Sequence, residues 1–182
     1  MAMWRVEQLL RKATEALNAS GVQYAVVGGN AIAAWVATVD PDAVRATKDV
    51  DILARRSDLP RMAEALKSIG MEQTEVFGVV VFIDPDDPSP KRGVHFVAAN
   101  ERVRPHYMHP APNVTEVTKD IAPYPVVSLS ALIGMKLQSG RPIDIAHLVD
   151  MKSVGLITPD LASKLPPDLR TKLAEVPEPD TH

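Results

Sequence analysis

The chain has 182 residues, 46% hydrophobic and 24% charged, proportions that suit about one folded domain and exclude wholesale disorder. Its formal net charge of −3 argues against non-specific binding along DNA phosphates. The absence of cysteine excludes disulfides, thiolate catalysis and cysteine-ligated zinc, and fits a reducing, cytoplasmic setting.

The N-terminal stretch lacks the apolar block and cleavage site of a signal peptide. Val6, Leu9, Leu10, Ala13, Ala16 and Leu17 recur at helical spacing instead, and Gly21 stands where a helix would end. Tyr24 to Val27 is a short apolar run, predicted as a buried strand. Gly28 and Gly29 then open a small-residue helix over 30–37, and Asp40-Pro41-Asp42 marks a loop. A second strand is predicted over 49–53. A third helix follows, capped by Ser57 or Asp58, with Pro60 in its first turn and Gly70 past its end. The apolar run 76–83 predicts one long strand, returning through a proline-rich turn as a strand over 93–98. Residues 114–118 alternate as an exposed edge strand. Helices are predicted over 129–138, 142–151, 159–164 and 167–175. No run of about 18 apolar residues exists, so no membrane span is expected. The fold class is α+β: a twisted mixed sheet with flanking helices and a helical C-terminal extension. Two of the 16 prolines precede Pro85 and 14 lie from there on. We read this skew as stiffened loops in one domain over 1–176, with a sheet-containing core over 1–127, a helical part over 128–176 and a frayed tail over 177–182.

The chemistry concentrates at two places. Asp49 and Asp51 stand two apart on a strand, so both carboxylates point to one face while Val50 and Ile52 face the core. Carboxylates that close repel unless a cation holds them, and Mg²⁺ prefers such hard oxygen ligands. Gly28 and Gly29 at a strand-to-helix turn let backbone N–H groups approach an anion, which the helix dipole also favours. The two together predict a phosphate on the glycine turn and a metal on the aspartates.

Val26-Val-Gly-Gly-Asn-Ala31 with Arg45-Ala-Thr-Lys-Asp-Val-Asp51 resembles the paired motifs of the polymerase-β-type nucleotidyltransferase superfamily. The chain is most similar to the minimal bacterial nucleotidyltransferases of abortive-infection and toxin–antitoxin loci. Their helical lysine and following Arg-x-x-Asp stretch match Lys136 and Arg141-Pro-Ile-Asp144. The resemblance spans about residues 22–150 and implies a Mg²⁺-dependent transfer of NMP from a nucleoside triphosphate to a hydroxyl on a protein, an RNA such as tRNA, or a small molecule. It implies that Gly28, Gly29 and Asn30 cradle the triphosphate and that Asp49 and Asp51 hold the metal. It also implies that Lys136 counters phosphate charge, that Asp144 orients Lys136 or the acceptor, and that a cognate antitoxin is a possible partner.

Two positions depart from the pattern. His95 occupies the place of a third carboxylate that acts as general base, and His147 stands where an acid is expected. Three outcomes follow: His95 serves as the base, Asp84 or Glu101 does, or the chain binds nucleotide with little turnover. The alternative function is therefore a catalytically reduced module that holds a nucleotide or a partner. An aminoglycoside-modifying enzyme is a third reading, which needs an acidic drug cleft. His106 and His109, three apart between prolines, are read as a loop rather than a metal site. The basic pairs Arg55/Arg56, Lys91/Arg92 and Arg102/Arg104 are read as solvated charges.

Overall fold

The computed structural model describes residues 2–180, with side chains from Arg5 to Asp180. Helix α1 (Ala2–Ser20) leads into strand β1 (Tyr24–Val27), helix α2 (Gly28–Ala37) and strand β2 (Val50–Ala54). Helix α3 (Leu59–Lys67) is followed by strands β3 (Glu72–Val76), β4 (Val79–Ile83) and β5 (Val94–Ala98). Two short strands, β6 (Val117–Thr118) and β7 (Val126–Val127), precede helices α4 (Leu129–Ser139), α5 (Pro142–Ser153), α6 (Pro159–Ser163) and α7 (Pro167–Glu175).

The strands form one twisted mixed sheet in the order β3-β4-β5-β2-β1-β7-β6, with β1 antiparallel to β2 and β2 parallel to β5. Alternation along each strand divides the core between the two faces. Val26, Ile52, Ala54, Val94 and Phe96 pack against α1 and α3 through Leu10, Leu17, Met62 and Leu66. Ala25, Val27 and Leu53 pack on the other face with α2, α4, α5 and α7. Both layers are mainly aliphatic, in keeping with an aromatic content of 4%, and Tyr24, Phe82 and Phe96 lie in the α1/α3 layer.

The structure differs from the sequence reading at several places. The run 76–83 is not one strand but the turn and second arm of a hairpin. Phe77 and Gly78 both take positive φ (49° and 76°), the signature of a two-residue turn that matches strand twist, and polar Glu72–Val76 forms the outer arm. The edge strand near 114–118 shortens to β6, because Val114 is drawn into the core and Asn113 turns the chain by accepting from the Thr115 backbone N–H. Strand β7, two residues long between prolines, carries no length signal in the sequence. Asp58 precedes α3 without a side-chain capping bond and instead lies near Arg55 and Arg61. Of the expected tail, Glu178 pairs with Lys152, and residues 181 and 182 lie outside the described residues.

Candidate active site

The site forms where β1 ends and β2 and β5 begin. Val27 of β1 is opposite Asp51 of β2, and Asp51 is in parallel register with His95 of β5. Ile52, Val94 and Phe96 face the α1/α3 layer, so Asp51 and His95, one residue out of phase with them, share the opposite face. Asp49 sits one residue ahead of β2. His95 Nδ1 lies 3.2 Å from Asp51 Oδ1 and 3.6 Å from Asp49 Oδ2. Neither Asp84 nor Glu101 joins them: Asp84 forms a bridge with Asp87, and Glu101 pairs with Arg56 at 2.7 Å.

The start of α2 is packed directly on this cluster. Gly28 has φ +67°, and a Cβ there would lie 1.9 Å from Asp51 Oδ2, so only glycine allows the helix to begin against the carboxylate. A Cβ on Gly29 would lie 2.6 Å from Thr47 Oγ1. Thr47 in turn donates to Asp49 Oδ1 at 3.3 Å, and Asn30 Nδ2 donates to the Asp49 carbonyl at 2.8 Å, tying the helix to the loop before β2. Val27 precedes α2 with no side-chain acceptor, and no acidic residue lies in the first turn. The first N–H groups are thus left uncapped by side chains, the arrangement that receives an anion.

Burial and then the nearby Asp51 charge raise the Asp49 carboxyl above its ordinary value. The His95 imidazole is pushed up to about 9, chiefly by its hydrogen bond to Asp51 and against the effect of burial. Two crowded carboxylates and an imidazole, their ligand atoms all within 4.8 Å of one another, form a donor set that fits a small divalent cation.

Beside this cluster Lys136 and Asp144, both buried, pair at 2.8 Å between α4 and α5. Arg141 completes the group with Nε 2.7 Å from Asp144 Oδ2. Burial alone would raise the Asp144 carboxyl, but the Arg141 and Lys136 contacts outweigh it and hold it well below the usual carboxylate range. Removing Asp144 would leave the Lys136 ammonium buried and unpaired, at a cost of about 3–5 kcal/mol. Arg141 is the exposed member, with 67% of its side chain accessible; its hydrogen bond to Asp144 chiefly raises its pKa, and the Asp51 charge adds to this. The sequence reading quoted Arg141 within a motif yet assigned it no role; its place three residues before Asp144 was the available signal.

His147, one turn further along α5, is buried, and its Nδ1 has no hydrogen-bond partner. The remaining candidates are structural. His109 bonds Asp168 at 2.9 Å, and Gln138 holds the loop around it through two backbone bonds. Arg45 spans to Asp150 at 2.8 Å, and Arg92 pairs with Asp87.

No family model matches the sequence, and no curated protein matches it. Solved structures do. The antibiotic-resistance factor ANT(2'')-Ia superposes with a TM-score of 0.59 over 96% of this chain and 94% of that one, at 16% identity. A second structure of ANT(2'')-Ia, in complex with adenylyl-2''-tobramycin, gives 0.56 over 92% and 96% at 15% identity. An antigenic nucleotidyltransferase-like protein from Paracoccidioides brasiliensis gives 0.58 over 96% and 88% at 19% identity. With the sheet order, the helix start on the sheet's end and the paired aspartates beneath it, the chain has the nucleotidyltransferase fold.

Proposed function

We propose that this chain is a nucleotidyltransferase that moves a nucleoside monophosphate from a nucleoside triphosphate to an acceptor hydroxyl. The observation that carries the reading is the uncapped start of α2, packed through Gly28 onto the Asp49–Asp51 pair. The first turn of α2 at Gly28, Gly29 and Asn30 receives triphosphate oxygens. Asp49 and Asp51 hold a divalent cation (Mg²⁺ on the sequence reading), which supplies positive charge to the phosphates. Arg141 faces solvent beside the cluster and binds phosphate charge. Lys136, its ammonium buried on Asp144, acts as a positioning residue that fixes the Asp144–Arg141 pair and adds to the positive field. The acceptor oxygen bonds to the α-phosphorus as the bond from that phosphorus to the leaving oxygen breaks. Pyrophosphate departs, and the hydroxyl proton passes to water. His95 is not placed to take that proton, because its Nε2 is spent on the Pro90 carbonyl and its Nδ1 is turned to the two carboxylates.

The acceptor we propose is a hydroxyl on a protein or on RNA, tRNA included, with an antitoxin-like protein as partner, a reading that rests on the sequence motifs' resemblance to toxin-type enzymes. Arg141 puts positive charge beside the aspartates, where a polycationic aminoglycoside would need acids. We further propose that residues 1–176 act as one domain. Incubation with α-labelled nucleoside triphosphates, divalent metal and a panel of tRNA, protein and aminoglycoside acceptors tests the reading. Label transfer is expected, and Asp49→Asn and Asp51→Asn should each lower it by about 100-fold or more. Equal labelling by the variants overturns the mechanism. Triphosphate binding without transfer to any acceptor favours the binding-module alternative, which His95 and His147 motivate.

A further inference from the structure

We propose that His95 is a nitrogen ligand of the cation held by Asp49 and Asp51, and that this mixed set favours Mn²⁺ over Mg²⁺. The inference rests on the metal reading above and adds a third protein ligand and a preference between two ions. Three features of the structure carry it. The first is position: β2 and β5 run in parallel register at Asp51 and His95, so the backbone ladder itself holds the imidazole beside the carboxylates. The second is orientation. Nε2 lies 2.6 Å from the Pro90 carbonyl oxygen, to which its N–H donates, leaving Nδ1 as the ring atom aimed at Asp49 and Asp51. Metal-binding histidines characteristically spend their other ring N–H on such a fixed acceptor, which sets both tautomer and ring angle. That acceptor is itself held, because the Pro90 carbonyl belongs to the 3₁₀ turn over 90–92 and also accepts from the Gly93 N–H at 3.3 Å. The third is spacing: the ligand atoms of Asp49, Asp51 and His95 all lie within 4.8 Å of one another, close enough to share one ion.

The chemistry of the donors then selects among ions. Mg²⁺ demands oxygen ligands in a near-ideal octahedron and gains little from imidazole. Mn²⁺ shares the preference of Mg²⁺ for carboxylate and phosphate oxygens but, as a first-row transition ion, also takes imidazole nitrogen; it is the weakest binder of that series, so the preference is over Mg²⁺ and not over the later ions. A ligand His95 also has no role as general base, which agrees with the release of the acceptor proton to water.

The test is Mn²⁺ added to the full-length protein labelled with ¹⁵N-histidine, read by pulsed electron paramagnetic resonance for nitrogen coupling and by calorimetry for affinity. We expect ¹⁵N coupling to bound Mn²⁺ and tighter binding of Mn²⁺ than of Mg²⁺ by about 10-fold or more. In His95→Asp the coupling should vanish while Mn²⁺ still binds, and the preference over Mg²⁺ should fall by about 10-fold. Circular dichroism checks that this variant folds, and His95→Gln gives a second removal of the nitrogen. Mn²⁺ that binds the unsubstituted protein and is lost in Asp49→Asn, yet shows no nitrogen coupling, overturns the inference and leaves the metal reading intact. Failure to bind Mn²⁺ also overturns it, while the labelling assay with Mg²⁺ decides the transferase reading separately.

Discussion

Gly28 shows how much one residue decides. Its φ of +67° would cost an ordinary side chain about 1–2 kcal/mol, and a Cβ would sit 1.9 Å from Asp51 Oδ2. Gly28→Ala should therefore destabilise the protein by about 2 kcal/mol and displace the carboxylate. Urea unfolding together with calorimetric metal binding checks this, and an alanine variant that keeps both stability and affinity would remove the glycine from the site. His147 behaves in the opposite sense to the paired groups. Burial first, and then the Lys136 charge, push its pKa down to about 4 from the ordinary 6.5. The unfolded chain then takes up a proton before the folded one as pH falls. Stability is lost between about pH 6.5 and 4, by about 3 kcal/mol at most. Against a His147→Leu variant in urea, the unsubstituted protein should lose more stability between pH 7 and pH 4.5; parallel loss in both would exclude the histidine. In the sequence His147 read as a missing acid. Its lack of a partner could not be read there, because α5 acquires its buried face only by packing in the core with α2 and α4.

Among the elements, the helices were the most legible. Periodic apolar residues with Pro60, Gly70 and Pro142 mark α3, α4 and α5 within about two residues of their observed ends, and Gly21 marks the end of α1. The hairpin was the chief miss. Val76 to Ile83 is apolar almost throughout, so periodicity could not reveal a reversal at Phe77-Gly78, and the outer arm is polar because it lies at the sheet edge. Phe77 is strained there, 96% exposed at φ 49° with no packing to compensate. Phe77→Asn places the residue type that tolerates this conformation ahead of glycine. It should raise stability by about 1 kcal/mol and the Tm by about 2–4 °C, measured by thermal circular dichroism; no gain would mean that the positive φ of Phe77 carries no strain.

For the molecule as a whole, the sheet order is the consequential fact. β2 and β5, strands separated by the β3–β4 hairpin, lie side by side in parallel, so the cluster is assembled from segments more than 40 residues apart and completed by α4 and α5. The proline skew does not divide the site, whose residues lie on both sides of Pro85. A ligand that binds only the folded state adds stability by mass action, about 2.7 kcal/mol at 100 times its Kd. Divalent metal with nucleoside triphosphate should accordingly raise the Tm by about 5–10 °C, and Asp49→Asn should abolish the shift. The same scan should show a single transition if residues 1–176 unfold as one unit. A shift that persists in the aspartate variant would place the ligand elsewhere.

From the sequence alone come the fold class, nearly every helix, and the glycine turn and aspartate pair, because these depend on local periodicity and on residues two apart in one strand. Lys136 and Asp144 were legible as motif members, with contact between them one of the two roles the resemblance implied for Asp144; their burial was not legible. What only the tertiary structure decided is contact between distant segments. It brings His95 against both aspartates through the β2–β5 register, binds Arg141 and Lys136 to one carboxylate, and leaves no room beside Gly28 for a side chain. No local pattern encodes such proximity, since strand register and helix packing are settled by the burial of residues far apart in the chain.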